Sequence, residues 1–577
     1  MNVASALADK YDLKPGDPVC ISNDNSDKTH ILAMAVICLG GIVACTYPKD
    51  PYAELLYLSR KVEPRLLFTR GKHAAKWGSQ LSKDLGYSVT TIAMDRHELA
   101  TGFDDLDTFL DYEHEKSSAV IPVKLSTDDL KQLPALITMS SGTTGKPKAV
   151  PATHWNVLAD LVDSYMFRSQ VDFSRVSFAC SASLDYVSGR LILFGAVNLG
   201  YNAVILNGFN PDTYAQAIEK FRLNTVYIGA ASFYEFMTYP NLHKYDLSSL
   251  MMIFPMGAKV TYLDELADFV KRYPNIRCIR QGYGASETGG MAMNSMEPGV
   301  YFRESENCGT VIPGIYLKVV DQSSGKLLGP NQLGMVHVKG ETVFPGYYDA
   351  AFQNGKSNGK SNGNGQLNGK RFTFHRDSTI FDEDGFYITG DLGYYNEKEQ
   401  VHIIGRQKEL MSCRSAKKVL PQELEEVVCS HPAVDKVCVL AVKSKRVLLV
   451  DLPRAFVVPK REYIDQPELI DKLKEIWPKD GLLTDEEAKG PSGESGTTLV
   501  HSGNSNTTLS SLPTEWRRKL AEDVLEFSNK RIGWEKQITG GIVILDDIPT
   551  SRATGKMDKN YLRSLTLEQI EIYADQS

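Results

Sequence analysis

The stretch that decides the fold is LITMSSGTTGKPK, which runs from Leu136 to Lys148. Its first four residues are apolar or β-branched and predict a buried strand, and a run of Ser, Gly, Thr and Lys follows without a break. Small residues let backbone N–H groups approach an anion, hydroxyls donate further hydrogen bonds, and lysine adds positive charge. The segment therefore predicts a loop that binds a nucleotide triphosphate.

This loop is not a Walker A loop, because Pro147 stands where that motif has Ser or Thr and Ser140 stands where it has its first glycine. A shorter piece of the segment would equally predict a solvated turn. The full string resembles the phosphate loop of the acyl-adenylate-forming superfamily, which includes acyl-CoA synthetases, 4-coumarate–CoA ligases, beetle luciferases and nonribosomal peptide adenylation domains. The resemblance implies that these residues of the loop bind ATP: Ser140, Ser141, Gly142, Thr143, Thr144, Gly145 and Lys148.

The string QGYGASET, from Gln281 to Thr288, resembles the second motif of that family. The resemblance implies that Tyr283 stacks on adenine, and that Glu287 holds Mg²⁺ together with Thr144. An aromatic face suits a purine, and a carboxylate beside triphosphate oxygens needs a shared hard cation. The alternative is a glycine-rich turn with a surface glutamate. The ATP contacts implied within this string are Gln281, Gly282, Tyr283, Gly284 and Ser286.

Two further strings complete the resemblance. YITGD ends at Asp391, which matches the aspartate that binds the ribose hydroxyls, and Arg406 matches the arginine that follows at the domain hinge, with the hinge itself at Lys408. TGKMD contains Lys556, which matches the lysine that supports attack of a carboxylate on the α-phosphate. Taken singly, these are a common turn aspartate and a solvated loop lysine. The implied catalytic residues are Lys556, Glu287 and Thr144.

The segment from Leu223 to Asn294 also resembles the luciferase and coumarate-ligase branch. The resemblance implies that Gly257 and Ala258 contact ATP. It implies an acyl pocket formed by Tyr186, Ala230, Ala231, Tyr234 and Gly284. These side chains favour an apolar or aromatic guest, although ordinary core packing would use the same residues.

Three positions near this pocket depart from the luciferases or stay open. Asp160 stands where an arginine associated with luciferin binding is expected, and consecutive histidines are missing around Asp185, so light emission is not predicted. Asp185 either caps a helix, stays solvated or meets a substrate amine. His154 aligns with a family histidine near the phosphate loop, and a packing or capping role has equal weight.

Short apolar runs alternate with helical patterns along most of the chain, which predicts parallel sheets covered by helices. The runs are Ala135 to Met139, Ala203 to Leu206, Thr225 to Ile228 and Met251 to Pro255, and the helical stretches include Pro211 to Phe221 and Leu263 to Tyr273. The expected fold class is α/β, with a large N-terminal domain of layered α/β subdomains and a β-rich part, followed by a small mobile α+β C-terminal domain. The expected domains are residues 1–405 and 406–577, with disordered insertions near 354–370 and 479–511.

Composition narrows the class of protein further. The chain has 577 residues and a net charge of -7, without basic runs interleaved with aromatics, so nucleic acid is not an expected partner. Nine cysteines without a C-x-x-C pair indicate reduced, mostly buried thiols and no structural metal. The apolar stretch from Ile31 to Tyr47 contains Gly40-Gly41 and predicts a buried helix running into a strand, not a membrane span. A cytoplasmic location is expected because no targeting signal is recognised.

The expected function is ATP-dependent activation of a small carboxylic acid as acyl-AMP, with release of pyrophosphate and transfer to coenzyme A. Two alternatives remain: transfer to a separate carrier protein or an amine, and a non-catalytic homologue that only binds nucleotide. The last is motivated by Ala416, where many members have a glycine beside the pantetheine tunnel. It is also motivated by the segment from Ala4 to Asn25, which already resembles an internal helix and strand, with roughly fifty residues expected before it.

Overall fold

The computed structural model of the chain describes these residues: 1–46, 52–96, 102–112, 122–140, 147–166, 176–260, 263–294, 306–353, 372–376, 378–413, 418–443, 451–475, 498–500, 512–533, 536–549, 557–565 and 572–575. Thr144, Lys556 and Ala416 lie outside the described residues, as do the other loop residues from 141 to 146 and the insertion at 354–370. The described chain divides into two compact units. The first contains Met1–Thr389 and Tyr394–Ile403, and the second contains Gly390–Gly393 and the described residues from Ile404 onward.

The first unit begins with a six-stranded sheet. Its strands are β1 (Pro18–Ser22), β2 (Ile42–Thr46), β3 (Leu66–Thr69), β4 (Thr90–Ala93), β5 (Pro134–Met139) and β6 (Ala149–Thr153). Their order is β4-β3-β1-β2-β5-β6, parallel throughout except for the antiparallel edge strand β6. The helices of this part are α1 (Asn2–Tyr11), α2 (Asp27–Cys38), α3 (Tyr52–Val62), α4 (Gly71–Leu85), α5 (Leu106–Leu110), α6 (Thr127–Gln132) and α7 (His154–Met166).

Alternation along β1 shows how this sheet is buried on both faces. Val19 and Ile21 belong to an apolar cluster that includes residues of α1 and α2, whereas Cys20 belongs to a second cluster with residues of α3 and α4. Successive side chains of a strand point to opposite faces, so both faces must be covered. The predicted buried helix running into a strand is confirmed by α2 and β2, and Ser26 starts that helix by accepting a hydrogen bond from the Thr29 N–H.

A second, fully parallel sheet follows. Its strands are β7 (Ser177–Cys180), β8 (Asn202–Ile205), β9 (Thr225–Gly229), β10 (Met252–Met256) and β11 (Cys278–Ile279), in the order β11-β10-β9-β7-β8. The helices are α8 (Val187–Leu199), α9 (Pro211–Phe221), α10 (Ala230–Met237) and α11 (Leu263–Arg272). The predicted alternation of strands and helices is therefore confirmed, with ends that differ by at most one residue.

The β-rich part of the first unit is a seven-stranded sheet whose recorded pairings are antiparallel. Its strands are β12 (Gly282–Ala285), β13 (Gly289–Met293), β14 (Asn307–Val311), β15 (Ile315–Val320), β16 (Gly334–Gly340), β17 (Tyr387–Tyr395) and β18 (Gln400–Arg406). Their order is β12-β13-β14-β18-β17-β16-β15, and β17 and β18 reach the change of unit. The short helix α12 (Ala350–Gln353) follows β16 in the chain.

The second unit contains a two-stranded ribbon and a five-stranded sheet. The ribbon is β19 (Met411–Ser412) with β20 (Lys418–Val419), and the sheet has β21 (Val434–Lys443), β22 (Asp451–Pro459), β23 (Thr498–Val500), β24 (Ile542–Ile544) and β25 (Ile572–Asp575) in the order β21-β22-β24-β25-β23. The helices are α13 (Pro421–Cys429), α14 (Arg461–Asp465), α15 (Thr514–Asn529) and α16 (Lys559–Ser564), and 3₁₀ turns occur at Gln407–Glu409, Pro467–Glu475 and, in the first unit, Leu242–Lys244.

Two features here concern the expected domains and insertions. Thr498–Val500 lies in the insertion predicted to be disordered, yet its backbone pairs with β25 as an antiparallel edge strand, which provides partners for its peptide groups. The units change at Ile403–Ile404, two residues before the predicted boundary.

The cysteines follow the prediction of reduced, mostly buried thiols. All nine are free, and seven of them are buried, with Cys429 exposed and Cys38 intermediate. In the part of the chain that the structure describes, every helix is too short or too polar to cross a bilayer.

Candidate active site

The phosphate loop is closed at its base by the β5–β6 hairpin. Met139 pairs with Ala149, and the Ser140 N–H donates to the Lys148 carbonyl at 2.9 Å. The Lys148 N–H returns a hydrogen bond to Ser140 Oγ at 3.1 Å. Tyr57 donates its hydroxyl to the Pro147 carbonyl at 2.8 Å, which fixes the second end of the loop. Of the loop residues implied to bind ATP, Ser140 and Lys148 are described and occupy this base.

The second parallel sheet brings most of the other predicted site residues to one edge. Its neighbouring strands β11, β10, β9 and β7 run parallel, so their carboxyl ends lie on the same side of the sheet. Ligands of parallel α/β sheets bind at this side. The chain segments that follow these carboxyl ends contain predicted site residues. They are Tyr186 after β7, Ala230 and Ala231 after β9, Gly257 and Ala258 after β10, and the string from Gln281 to Glu287 after β11.

Within the second motif, the backbone makes a narrow hairpin between β12 and β13. A register shift lies between Tyr283 and Gly284, and Gly284 pairs with Gly290. A Cβ built on Gly284 would lie 2.5 Å from the Gly289 carbonyl oxygen, so this position has no room for a side chain. The turn is held by the Ala285 N–H, which donates to Thr288 Oγ1 at 3.1 Å. Ser286 and Glu287 occupy this turn, with Glu287 half-buried.

A single tyrosine contacts both the phosphate loop and the second motif. The Tyr347 hydroxyl donates to Glu287 Oε1 at 3.0 Å, and Lys148 Nζ lies 4.4 Å from the centroid of the Tyr347 ring. Tyr347 and Lys148 also border a cleft of about 240 Å³, together with Tyr57 and Pro147. Lys148 and Glu287 thus both contact Tyr347. Sequence reasoning missed Tyr347, although the Gly346-Tyr347 pair after β16, with Gly346 at a φ of 136°, marks a constrained turn.

Gln281, one of the residues implied to contact ATP, is held by internal hydrogen bonds. Its side chain is 2% exposed, Oε1 accepts from the Val260 N–H at 2.8 Å, and Nε2 donates to the Asn307 carbonyl at 3.2 Å. These bonds anchor the loop that carries Gly257 and Ala258, where Gly257 adopts a φ of 88°. Gln281 therefore shapes the loop through internal hydrogen bonds.

In the second unit, the predicted ribose ligand and hinge arginine form an ion pair. Arg406 Nε lies 2.6 Å from Asp391 Oδ1, and Asp391 is 4% exposed. Lys408, the predicted hinge residue, is exposed in the 3₁₀ turn Gln407–Glu409. The neighbouring Glu409 binds Lys559 Nζ at 2.9 Å, three residues beyond Lys556 in the chain.

The predicted acyl-pocket residues on α10 differ in burial. Ala230 is buried in the apolar cluster that contains Phe233, which is the packing alternative stated for this segment. Ala231 and Tyr234 are half-buried, as is Tyr186 at the N-terminal cap of α8.

A buried ion pair lies beside this region and was not predicted. Arg190 Nη2 donates to Asp160 Oδ2 at 2.8 Å, with both side chains buried. Burial raises the pKa of Asp160, although the charge of Arg190 and its hydrogen bond oppose that rise. A Cβ on Gly289 would lie 2.7 Å from Asp160 Oδ1, so the pair rests against the chain two residues after Glu287. In the sequence, Asp160 and Arg190 lie thirty residues apart, and no motif marks them as a pair.

His154 and Asp185 received open assignments from the sequence. Burial lowers the pKa of His154 to about 4, so the imidazole is neutral at pH 7 and suits the packing role at the start of α7. The N-cap of α8 is Tyr186 rather than Asp185, and the Asp185 carboxylate is half-buried, so neither capping nor full solvation describes it.

Comparison with known proteins identifies the family of this chain. Residues 1–348 match the family model described as AMP-binding enzyme, and residues 423–480 match that of the AMP-binding enzyme C-terminal domain. The chain belongs to the AMP-binding enzyme family, and the predicted membership of the acyl-adenylate-forming superfamily is confirmed.

Individual relatives agree with this membership at low identity. The chain is 24% identical to a luciferin 4-monooxygenase of Photuris pensylvanica over 96% of its length and 86% of that protein. It is 26% identical to probable 4-coumarate–CoA ligase 3 of Dictyostelium discoideum, over 80% of each chain. Among solved structures, ATP-bound MatB from Rhodopseudomonas palustris superposes with a TM-score of 0.71 at 20% identity, covering 97% of this chain and 91% of that one. The last likeness confirms the predicted fold class, a large α/β domain with a smaller C-terminal domain.

Proposed function

We propose that this chain uses MgATP to convert a small carboxylic acid into an acyl adenylate, releases pyrophosphate, and passes the acyl group to the thiol of coenzyme A. The observation that carries the proposal is that Lys148 and Glu287 both contact Tyr347. A cation of the phosphate loop and a carboxylate suited to a metal therefore lie beside one ring. Binding of a triphosphate with a shared divalent cation requires this combination.

The residues present fit Mg²⁺. Glu287 Oε1 accepts the Tyr347 hydroxyl, and among the described residues no hydrogen bond reaches its other carboxylate oxygen. Magnesium prefers oxygen ligands and is usually held by one or two carboxylates together with phosphate oxygens. When bound, Mg²⁺ would neutralise negative charge on the phosphates. Glu287 would hold it, with Thr144 as the second proposed ligand.

In the first step, a carboxylate oxygen of the acid attacks the α-phosphorus of ATP. An O–P bond forms, the bond to the β-phosphate oxygen breaks, and pyrophosphate leaves with the electron pair. Lys148 stabilises the charge on the phosphates, Tyr283 stacks on adenine and Asp391 accepts hydrogen bonds from the ribose. Lys556 is proposed to reduce the repulsion between the carboxylate and the α-phosphate.

In the second step, the thiol of coenzyme A attacks the carbonyl carbon of the acyl adenylate. A thioester forms, AMP leaves with the former carboxylate oxygen, and the thiol loses its proton. The family name of the 4-coumarate–CoA ligase relative supports this acceptor. The half-buried Tyr186, Ala231 and Tyr234 at the sheet edge favour an acid with an apolar or aromatic body.

Pyrophosphate exchange into ATP tests the first step. Labelled pyrophosphate should enter ATP only with the correct acid, across a panel of aliphatic, aromatic and amino acids. Glu287→Gln should lower the exchange rate roughly 100-fold or more, because a metal ligand loses its charge. Glu219→Gln, which changes an exposed carboxylate on α9, is the matched control and should leave the rate unchanged.

The outcomes separate the competing functions. Measurable ATP binding without exchange for any acid would contradict adenylation and favour a nucleotide-binding homologue. Exchange without formation of an acyl-CoA would indicate that the acceptor of the acyl group is a carrier thiol or an amine.

A further inference from the structure

Tyr347 is held in place by contacts other than those with the Lys148 ammonium and the Glu287 carboxylate. Its N–H donates to the His375 carbonyl at 3.1 Å, and the His375 N–H returns a bond to the Tyr347 carbonyl at 2.8 Å. Its ring packs edge-on against Phe344 with centroids 5.0 Å apart. The backbone of Phe344 is itself tied to the second motif, because its N–H donates to the Glu287 carbonyl at 2.8 Å. The Tyr347 ring is therefore held in a defined position, and Lys148 and Glu287 both contact it there.

The two charged groups use different parts of this ring. Lys148 contacts the ring as a cation on an aromatic system, and Glu287 accepts from the hydroxyl. Opposite charges this near to one another attract, and a direct pair would neutralise both groups. Among the described residues, no ion pair joins Lys148 to Glu287, and the ion pair in the cleft lining is that of Lys61 with Asp349. Each charge is thus stabilised by the tyrosine and stays available to a ligand.

We propose that Tyr347 is a positioning residue that holds Lys148 and Glu287 as separate charges, with its hydroxyl orienting the Glu287 carboxylate toward Mg²⁺. This inference rests on the proposed function for the identity of the ligand, MgATP. The hydroxyl occupies Oε1 and leaves Oε2 of Glu287, which would hold Mg²⁺, and the ring supports the Lys148 ammonium, which would bind the phosphates.

The roles of the Tyr347 hydroxyl and of its ring can be separated by two substitutions, Tyr347→Phe and Tyr347→Leu. Tyr347→Phe keeps the ring and removes the hydroxyl, so the gain in ATP affinity that Mg²⁺ provides should fall roughly tenfold while metal-free ATP binding stays the same. Tyr347→Leu also removes the aromatic face and lets Lys148 pair with Glu287. Metal-free ATP binding should then weaken as well, by roughly threefold to tenfold.

Calorimetric titration of ATP into the full chain, once with Mg²⁺ and once with a chelator, measures both quantities without turnover. Tyr87→Phe is the matched control, because its hydroxyl donates to the Pro64 carbonyl at 3.2 Å, away from the residues that line the cleft, and its loss should leave both affinities unchanged. In a Glu287→Gln background, adding Tyr347→Phe should cause no further loss of the Mg²⁺ effect. A purely structural role of Tyr347 would lower both affinities together and would persist in that background.

A Tyr347→Phe protein with the wild-type Mg²⁺ effect, or a wild type with no Mg²⁺ effect, would overturn the inference. If no acid supports exchange but Tyr347→Phe still lowers the Mg²⁺ effect, the proposed reaction fails and the positioning role stands. If exchange occurs and the Mg²⁺ effect survives the loss of the hydroxyl, the positioning role alone fails.

Discussion

Gly284 shows at the level of one residue why the second motif needs its glycine. The Cβ of an alanine there would meet the Gly289 carbonyl oxygen at 2.5 Å, a contact with backbone that cannot yield. Gly284→Ala should therefore displace the β12–β13 turn that carries Glu287 and weaken MgATP binding by roughly tenfold or more, as equilibrium titration would measure. Gly290→Ala is the matched control in the same hairpin, because its Cβ would meet Ile312 Cδ1 at an ordinary 3.7 Å. Equal affinities for the two variants would contradict this account.

Some site residues could be predicted from the sequence, and the reason is local. Gly284 and Glu287 lie in one continuous string whose spacing carries the chemistry. Tyr347 lies sixty residues later in a turn with no recognisable pattern, and only the folded sheet brings it to Glu287. Gln281 was recognised as part of the motif, but its buried hydrogen bonds to Val260 and Asn307 depend on a loop distant in the chain.

Among the elements, the 3₁₀ turn Gln407–Glu409 and helix α16 are joined by a partly buried ion pair. Glu409 is 8% exposed at its side chain, Lys559 is 24% exposed, and Gln422 Nε2 also donates to Glu409 at 3.1 Å. Burial acts to raise the pKa of Glu409, but the charge of Lys559 and its hydrogen bond prevail and hold that pKa below the usual value. The pair therefore ties the predicted hinge to the helix that begins three residues after Lys556.

Glu409→Gln should leave the Lys559 ammonium without its nearest carboxylate and destabilise α16 by about 3 kcal/mol. Native-state hydrogen exchange in peptides covering residues 557–565 should show a roughly 100-fold loss of protection. Glu526→Gln removes an exposed partner of Lys474 in the same unit and should cost below about 1 kcal/mol. Unchanged protection in Glu409→Gln would show that the pair does not hold the helix.

Helices and strands could be predicted where the apolar residues of the sequence follow a clear period. Strands such as β9 and β10 and the helix α9 have uninterrupted patterns, and their positions were predicted to within one residue. Strand β23 was not, because Thr498–Val500 lies in a Gly, Ser and Thr-rich segment whose composition indicates disorder. Its backbone pairs with β25, a partner more than seventy residues later, and composition does not reveal such a partner.

At the scale of the whole molecule, we propose that the Lys148–Tyr347–Glu287 arrangement of this AMP-binding enzyme serves acyl adenylation. The sequence identified this class because its motifs are spread through both units, whereas the identity of the acid depends on the shape of a pocket that no motif encodes. A reaction at the α-phosphorus leaves a trace in the products that a reaction at the γ-phosphorus does not. One oxygen of the acid must end in AMP.

The most direct measurement follows that oxygen. The acid that best supports exchange is supplied with both carboxylate oxygens as ¹⁸O, together with MgATP and coenzyme A, and the products are analysed by mass spectrometry. The account predicts AMP carrying one ¹⁸O atom, unlabelled pyrophosphate and an acyl-CoA that retains the other. Formation of ADP, label in inorganic phosphate, or AMP without ¹⁸O would contradict acyl adenylation by this chain.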